Sequence, residues 1–188
     1  MKKLLISIFI TAIMFLLVSP IYAENIAGDS AGMILSFKIS QKDMSDMKEY
    51  RTKRAIKFIL QKYNSPMVSE VDAFYNTCQK YDLDCYLLPS ISGIESTFGK
   101  FLLPGSFNPF GWGRGIIPFN NWSEAIDTVG KGLRENYMDK WGAKTVDEIG
   151  RIYCEGNTWA SKVNWFMKEF KQEEEKISLF LNTDPVQL

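Results

Sequence analysis

The sequence predicts a mainly α-helical (α+β) domain with a small loop or β insertion directly after a helix that ends in a lone carboxylate, Glu95. Two observations predict it. Apolar residues recur at helical spacing on both sides of the insertion, from Ile56 to Ile94 and from Ile126 to Phe170. Between them, residues 99–122 hold five glycines (Gly99, Gly105, Gly111, Gly113, Gly115) and three prolines (Pro104, Pro109, Pro118), which break helices and mark turns.

In chain order, the first element reads as an export signal. Lys2 and Lys3 are followed by an apolar core over Leu4–Val18, and Pro20 to Ala23 offers a cleavage region ending in a small residue. The rival is an uncleaved anchor, but the apolar core is short for a bilayer span and runs into Ser19-Pro20. Either way the domain lies outside the cytoplasm. Residues 24–45, with Gly28, Ser30 and Gly32, read as a loosely structured linker.

From about Asp46 the pattern is helical. Ile56, Ile59, Leu60 and Tyr63 share a face, and Asn64-Ser65-Pro66 stops the run. Ser69 is a candidate cap for a second helix with Val71, Phe74, Tyr75, Cys78 and Tyr81 inward. Asp84 is a candidate cap for the helix carrying Glu95, where Pro89 fits only near the first turn or with a kink. After the insertion, Ser123 is read as the cap of a helix with Ile126, Val129, Leu133 and Tyr137 inward. Thr145 and Glu148 form a capping box, and Trp159, Val163, Phe166, Met167 and Phe170 stripe a last helix. The run Glu173-Glu174-Glu175-Lys176 reads as a solvated face before a frayed tail. The expected organisation is a leader over 1–23, a linker over 24–45, a domain over 46–172 and a C-terminal extension over 173–188.

Composition then excludes functions. The chain of 188 residues suits one domain plus a leader, and 46% hydrophobic and 14% aromatic content suffices for a packed core. Formal charge is zero, and without residues 1–23 it is 20 basic against 22 acidic residues, net −2. There is thus no basic footprint for nucleic acid or an anionic membrane. Histidine is absent, which removes Ser-His-Asp and Cys-His catalysis, HExxH metalloproteases and His-based zinc sites together. No metal and no cofactor is expected.

Cys78 and Cys85 flank Tyr81-Asp82-Leu83-Asp84. On one continuous helix roughly 10 Å of rise would separate them, too far for a disulfide. A turn at Asp82 or Asp84 would allow the bridge. With Cys154 as a third cysteine, any pair, or none, remains open from the sequence.

The chemistry centres on Glu95. From Cys85 to Ile94 no side chain is charged, and helical spacing places Leu88, Ile91 and Ser92 on the side of Glu95. An apolar setting raises a carboxyl pKa, which suits a general acid that protonates a leaving oxygen. The bland reading is a helix-end carboxylate bonded to backbone amides. Phe101, Phe107, Phe110, Trp112, Phe119 and Trp122 follow in a segment that one helical stripe cannot bury, and Asn108, Asn120 and Asn121 can bond sugar hydroxyl or acetamido groups. No Asp or Glu occurs between Glu95 and Glu124. The second carboxylate of the usual glycosidase scheme must then come from Glu155 or be absent, with the substrate's acetamido group or a hydroxyl attacking. The lone-acid scheme is favoured.

The run Leu88, Ile91, Gly93, Glu95, Ser96 and Gly99, followed by Asn108, Phe110 and Gly111, resembles the endo-β-N-acetylglucosaminidase domain of bacterial autolysins, within the lysozyme-like superfamily. Tyr153 and Trp159-Ala160-Ser161-Lys162 resemble the element before that family's last helix, with Cys154-Glu155-Gly156 where Ala-Thr-Asp is common. The resemblance covers about residues 51–170. It implies a lysozyme-like fold that binds peptidoglycan glycan strands, with Glu95 as catalytic acid and Phe110, Trp112 and Tyr153 near the substrate. Ser96, Asn108 and Trp159 complete the expected substrate-binding set. The expectation is an exported, cell-envelope, monomeric hydrolase of β-1,4 bonds between amino sugars. The alternatives are a lytic transglycosylase giving 1,6-anhydro ends and a wall-binding module without turnover.

Overall fold

The computed structural model describes the backbone of residues 24–154 and 156–183, and the side chains of residues 41–154 and 156–181. The leader expected over 1–23, Glu155 and the tail at 184–188 lie outside the described residues. By contact the chain divides after Asp46 into two units. In the first, residues 24–46 are helical, which corrects the expectation of a loosely structured linker over 24–45. Gly28 and Gly32 each cost about 1 kcal/mol in a helix relative to Ala. No proline stands in that stretch to remove a backbone donor, so the helix is weakened there and not broken.

The second unit is helical, built from the end of α1 (Glu24–Lys62), α2 (Val71–Lys80), α3 (Leu87–Ser96), α4 (Trp122–Gly132), α5 (Val146–Tyr153) and α6 (Trp159–Thr183). A 3-10 turn, Val68–Glu70, precedes α2, and a π-helical segment, Leu133–Lys140, prolongs α4. No strand occurs among the described residues, which corrects the β part of the expectation. The reason lies in the insertion's backbone. Phe98, Gly99, Gly105, Phe107, Gly111, Gly113, Arg114 and Gly115 all have φ between 44 and 82°, so the chain keeps turning and never extends far enough for a ladder. No helix among the described residues is long and apolar enough to cross a membrane.

The core is organised on α3. Leu87, Leu88 and Ile91 are buried, and α3 packs on α2, α4 and α6. The closing stretch of α1 supplies Ala55, Ile56, Ile59 and Leu60, and α6 supplies Trp159, Val163, Met167 and Phe170. Phe98, which follows α3, stacks on Tyr63 at 4.8 Å and meets Phe166 edge-on at 5.0 Å. Pro89 falls in the first turn of α3, where its missing N–H costs nothing.

Four local expectations change. Ser69 does not cap α2; its hydroxyl donates to Glu70 at 3.1 Å. Asp84 does not cap α3 but accepts the Tyr86 N–H at 2.9 Å, setting the turn into the helix. Asn121 caps α4 by accepting the Glu124 N–H at 2.8 Å, while Ser123 donates to Glu70 at 2.5 Å. Glu174 is not simply solvated: it accepts the Tyr86 hydroxyl at 2.8 Å and the Thr52 hydroxyl at 3.1 Å, tying α6 to α1 and the start of α3. The capping box of Thr145 and Glu148 forms as expected.

Between α2 and α3 the chain reverses at Asp82, whose φ is +48°, and the Leu83 N–H returns to the Cys78 carbonyl at 2.9 Å. This brings the Cα atoms of Cys78 and Cys85 to 4.9 Å and closes a disulfide, leaving Cys154 free. Arg134 clamps the same turn, donating to the carbonyls of Tyr81 and Asp82 and to the Asp82 carboxylate. A cross-link over so short a loop is worth about 2–3 kcal/mol through the entropy of the unfolded chain. Replacing both Cys78 and Cys85 with Ser is therefore expected to lower the unfolding free energy by about that amount, read from urea unfolding curves fitted with the slope free, since the released unfolded chain exposes more surface.

Candidate active site

Glu95 occupies the last turn of α3 and Trp159 the first residue of α6. The indole N–H of Trp159 donates to the Glu95 carboxylate at 2.7 Å. The α3 cap is built from backbone: Thr97 turns left-handed and the Phe98 N–H returns to the Ser92 carbonyl at 2.9 Å. Glu95 is therefore not needed to cap its own helix. Solvent reaches the side chain, yet protein crowds its carboxylate, and that partial desolvation raises its pKa above the ordinary carboxylate value. The Trp159 donor pulls the other way without reversing the shift.

The insertion closes one side of the site. At Gly111 φ is +63°, a left-handed conformation that favours glycine, and a Cβ there would stand 2.9 Å from Oε2 of Glu95 and push the carboxylate aside, so the backbone passes close to it. Asn108 fixes this loop from within. It is buried, its amide N–H groups donate to the carbonyls of Trp112 at 2.8 Å and Ile117 at 3.0 Å, and its oxygen accepts the Trp112 N–H at 3.0 Å. Ser96, also buried, accepts the Gly99 N–H at 2.8 Å, with its hydroxyl 2.8 Å from the Pro109 carbonyl. Phe110 is fully buried. The structure thus places Ser96, Asn108 and Phe110 in the support of the site, not on its open surface. Asn120 and Asn121 are likewise engaged, both with Glu124 at the start of α4.

Aromatic rings form the other side. Tyr153, at the end of α5, stacks on Trp159 at 4.9 Å and donates its hydroxyl to the Phe110 carbonyl at 2.5 Å. Crowding by protein, the Glu95 charge and Tyr137 push its phenol pKa well above the ordinary value, so it acts as a neutral donor. Trp112 lies 6.0 Å from Tyr153 and 5.9 Å from Tyr137. A Cβ at Gly132 would stand 2.7 Å from the Trp112 ring, so this glycine lets the indole lie on α4. Of the expected substrate-binding residues, Trp112, Tyr153 and Trp159 come together around Glu95. Trp159 is 4% exposed with its N–H spent on the carboxylate, so it positions the acid. The sequence assigns Tyr137 only to an inward stripe; its place two residues before Asp139-Lys140-Trp141 gives no sign of a neighbouring site.

Two acids close by in sequence are engaged elsewhere. Glu124 holds Asn120, and Glu148 accepts the backbone N–H groups of Lys144 and Thr145, which lower its pKa. Among the described residues no group of three or more Cys, Asp or Glu is placed to hold a metal.

The fold and site define a helical domain with one solvent-reached carboxylate held by a neutral donor beside a group of aromatic rings. Comparison with known proteins adds no family: no family model, curated protein or solved structure matches the chain.

A raised folded-state pKa means that Glu95 supports the fold when protonated and loses that support as pH rises through its folded-state value. Glu95→Gln is therefore expected to be more stable than the parent at neutral pH, with the gap closing towards acid pH. Thermal midpoints of both proteins across the acid-to-neutral range check the sign.

Proposed function

We propose that this chain is an exported peptidoglycan hydrolase of lysozyme-like fold, cleaving β-1,4 bonds between amino sugars with Glu95 as general acid. The observation that carries the reading is the state of the Glu95 carboxyl group. It is reached by solvent, desolvated enough to raise its pKa, and bonded to a donor that cannot change charge. Such a group keeps a proton further towards neutral pH than an ordinary carboxylate and can deliver it to a glycosidic oxygen. The rings of Trp112 and Tyr153 support a sugar substrate, because a pyranose presents apolar C–H faces to aromatic surfaces. The resemblance of the stretches around Glu95, Asn108 and Tyr153 to autolysin glucosaminidases points the same way.

The reaction needs one proton transfer and one nucleophile. Glu95 gives its proton to the leaving oxygen as the anomeric C–O bond breaks. The carbonyl oxygen of the substrate's own 2-acetamido group bonds to the anomeric carbon from the opposite face. Water then opens that ring, adding its hydroxyl to the anomeric carbon and returning a proton to Glu95. The route supplies the nucleophile that a second carboxylate provides in the usual scheme. The lytic transglycosylase alternative uses the same acid but has the sugar's own 6-hydroxyl attack, so water is not incorporated.

Glu95→Gln keeps the acceptor for the Trp159 N–H and removes only the proton. It is expected to slow the release of fragments from purified sacculi by about a hundredfold to ten-thousandfold, the usual worth of general acid catalysis. Mass spectrometry of the parent's products reads the rest: reducing ends support hydrolysis, and 1,6-anhydro ends replace it with the transglycosylase reaction. Equal clearance by variant and parent removes Glu95 from the chemistry.

A further inference from the structure

We propose that Trp141 is an outer platform of this site, on which an amino-sugar ring of the bound strand stacks away from the bond that Glu95 attacks. The proposal rests on the glycan reading above and extends it to a residue that no part of that reading uses.

The argument starts from a continuous path of rings. The Glu95 carboxylate holds Trp159, Trp159 stacks on Tyr153 at 4.9 Å, Tyr153 lies 5.9 Å from Tyr137, and Tyr137 meets Trp141 edge-on at 5.1 Å and 65°. Trp112 joins the middle of the path through Tyr137 and Tyr153. Exposure rises along it: Trp159 is 4% exposed, Tyr153 and Tyr137 are half-buried, and Trp141 is 51% exposed. A single exposed aromatic on a protein surface calls for no explanation. This one is the open end of a group that begins at the carboxylate, and the half-buried Tyr137 packs against it from behind.

The backbone at Trp141 is equally defined. The π-helical segment Leu133–Lys140 closes through the Trp141 N–H to the Asn136 carbonyl at 2.9 Å and the Ala143 N–H to the Tyr137 carbonyl at 2.9 Å. Wide turns of this kind recur at functional sites because they displace a side chain from its regular position. Here the turn carries Tyr137 and Trp141 out from one end of α4. Gly142 follows with φ +75°, and nothing stands within 4 Å of where its Cβ would be, so the backbone beside the indole is open. An indole has the largest apolar face among side chains and few rotatable bonds, so stacking on it costs little ordering.

The ring path offers successive apolar surfaces, and an enzyme that cuts within a strand must hold sugars beyond the two that flank the scissile bond. Trp141 meets that need. Its loss should weaken grip on the strand more as the strand lengthens.

The experiment uses the full chain in a Glu95→Gln background, where sacculi bind without turnover, and compares sedimentation with purified sacculi with and without Trp141→Ala. The expected result is about tenfold weaker binding on loss of one aromatic contact, with Trp141→Phe keeping a substantial part of it. In the parent background, KM for soluble β-1,4 amino-sugar oligomers is expected to rise on Trp141→Ala by a factor that grows with oligomer length. Unchanged sedimentation, or the same KM factor at every length, overturns the platform. The two readings fail separately. A parent that binds sacculi through Trp141 but never cleaves them refutes the hydrolase. A parent that cleaves them with no length-dependent effect of Trp141 refutes the platform.

Discussion

The hydrogen bond from the Trp159 indole to the Glu95 carboxylate joins the last turn of α3 to the first residue of α6, and the rest of the site is arranged around it. The choice of donor matters. An Arg or Lys in that position would stabilise the ionised carboxylate by charge and hold its pKa low. An indole N–H orients the same oxygen but carries no charge and cannot titrate. The desolvation imposed by the surrounding protein therefore still dominates, and the carboxyl pKa stays above its ordinary value. Orientation and protonation are set by separate groups.

The polar residues of the adjoining loop illustrate the same division. Asn108 spends its donors and its acceptor on three backbone groups of residues 112 and 117, and Ser96 ties α3 to the backbone at Gly99 and Pro109. Each buried amide or hydroxyl left without partners would cost about 1–3 kcal/mol, so their roles are structural and exacting. What they hold in place is the backbone at Gly111, whose φ of +63° favours glycine and where a Cβ would displace the Glu95 carboxylate. The loop thus shapes the site with its main chain and adds one ring, Trp112, to those of other elements.

The helices were legible because their signals are local. Ile56 to Leu60, Ile126 to Leu133 and Val163 to Phe170 repeat at the helical period, and the Thr145–Glu148 box spans only three residues. Glu95 was legible as an isolated charge beside an apolar run. The helix over residues 24–45 was obscured by its glycines and serines, which weaken a helix without forbidding it. The bonding partners of Ser96, Asn108 and Trp159 were not legible for a different reason. Their partners are fixed by tertiary contact, and nothing in Asn-Pro-Phe-Gly-Trp says whether the amide faces a ligand or the loop's own carbonyls. Glu174 within a charged run, and Tyr137 at the end of a helix stripe, were hidden in the same way.

The distribution of the site along the chain has a consequence for how it holds together. The acid comes from α3, while its donor and the rings come from residues 112 to 159, carried on the loop, the π-helical segment, α5 and α6. No single helix or local turn contains both the carboxyl group and the aromatic surface beside it. Carboxylate and rings meet only when α6 packs along α3, through the contacts of Phe98 with Phe166 and of Tyr86 with Phe170. Those contacts belong to the buried core, so any opening that separates the acid from the rings must also expose aromatic surface, which opposes it. The hydrophobic core and the geometry at Glu95 are thereby one structure: the packing that buries Phe98 and Phe170 is what keeps Glu95 against Trp159.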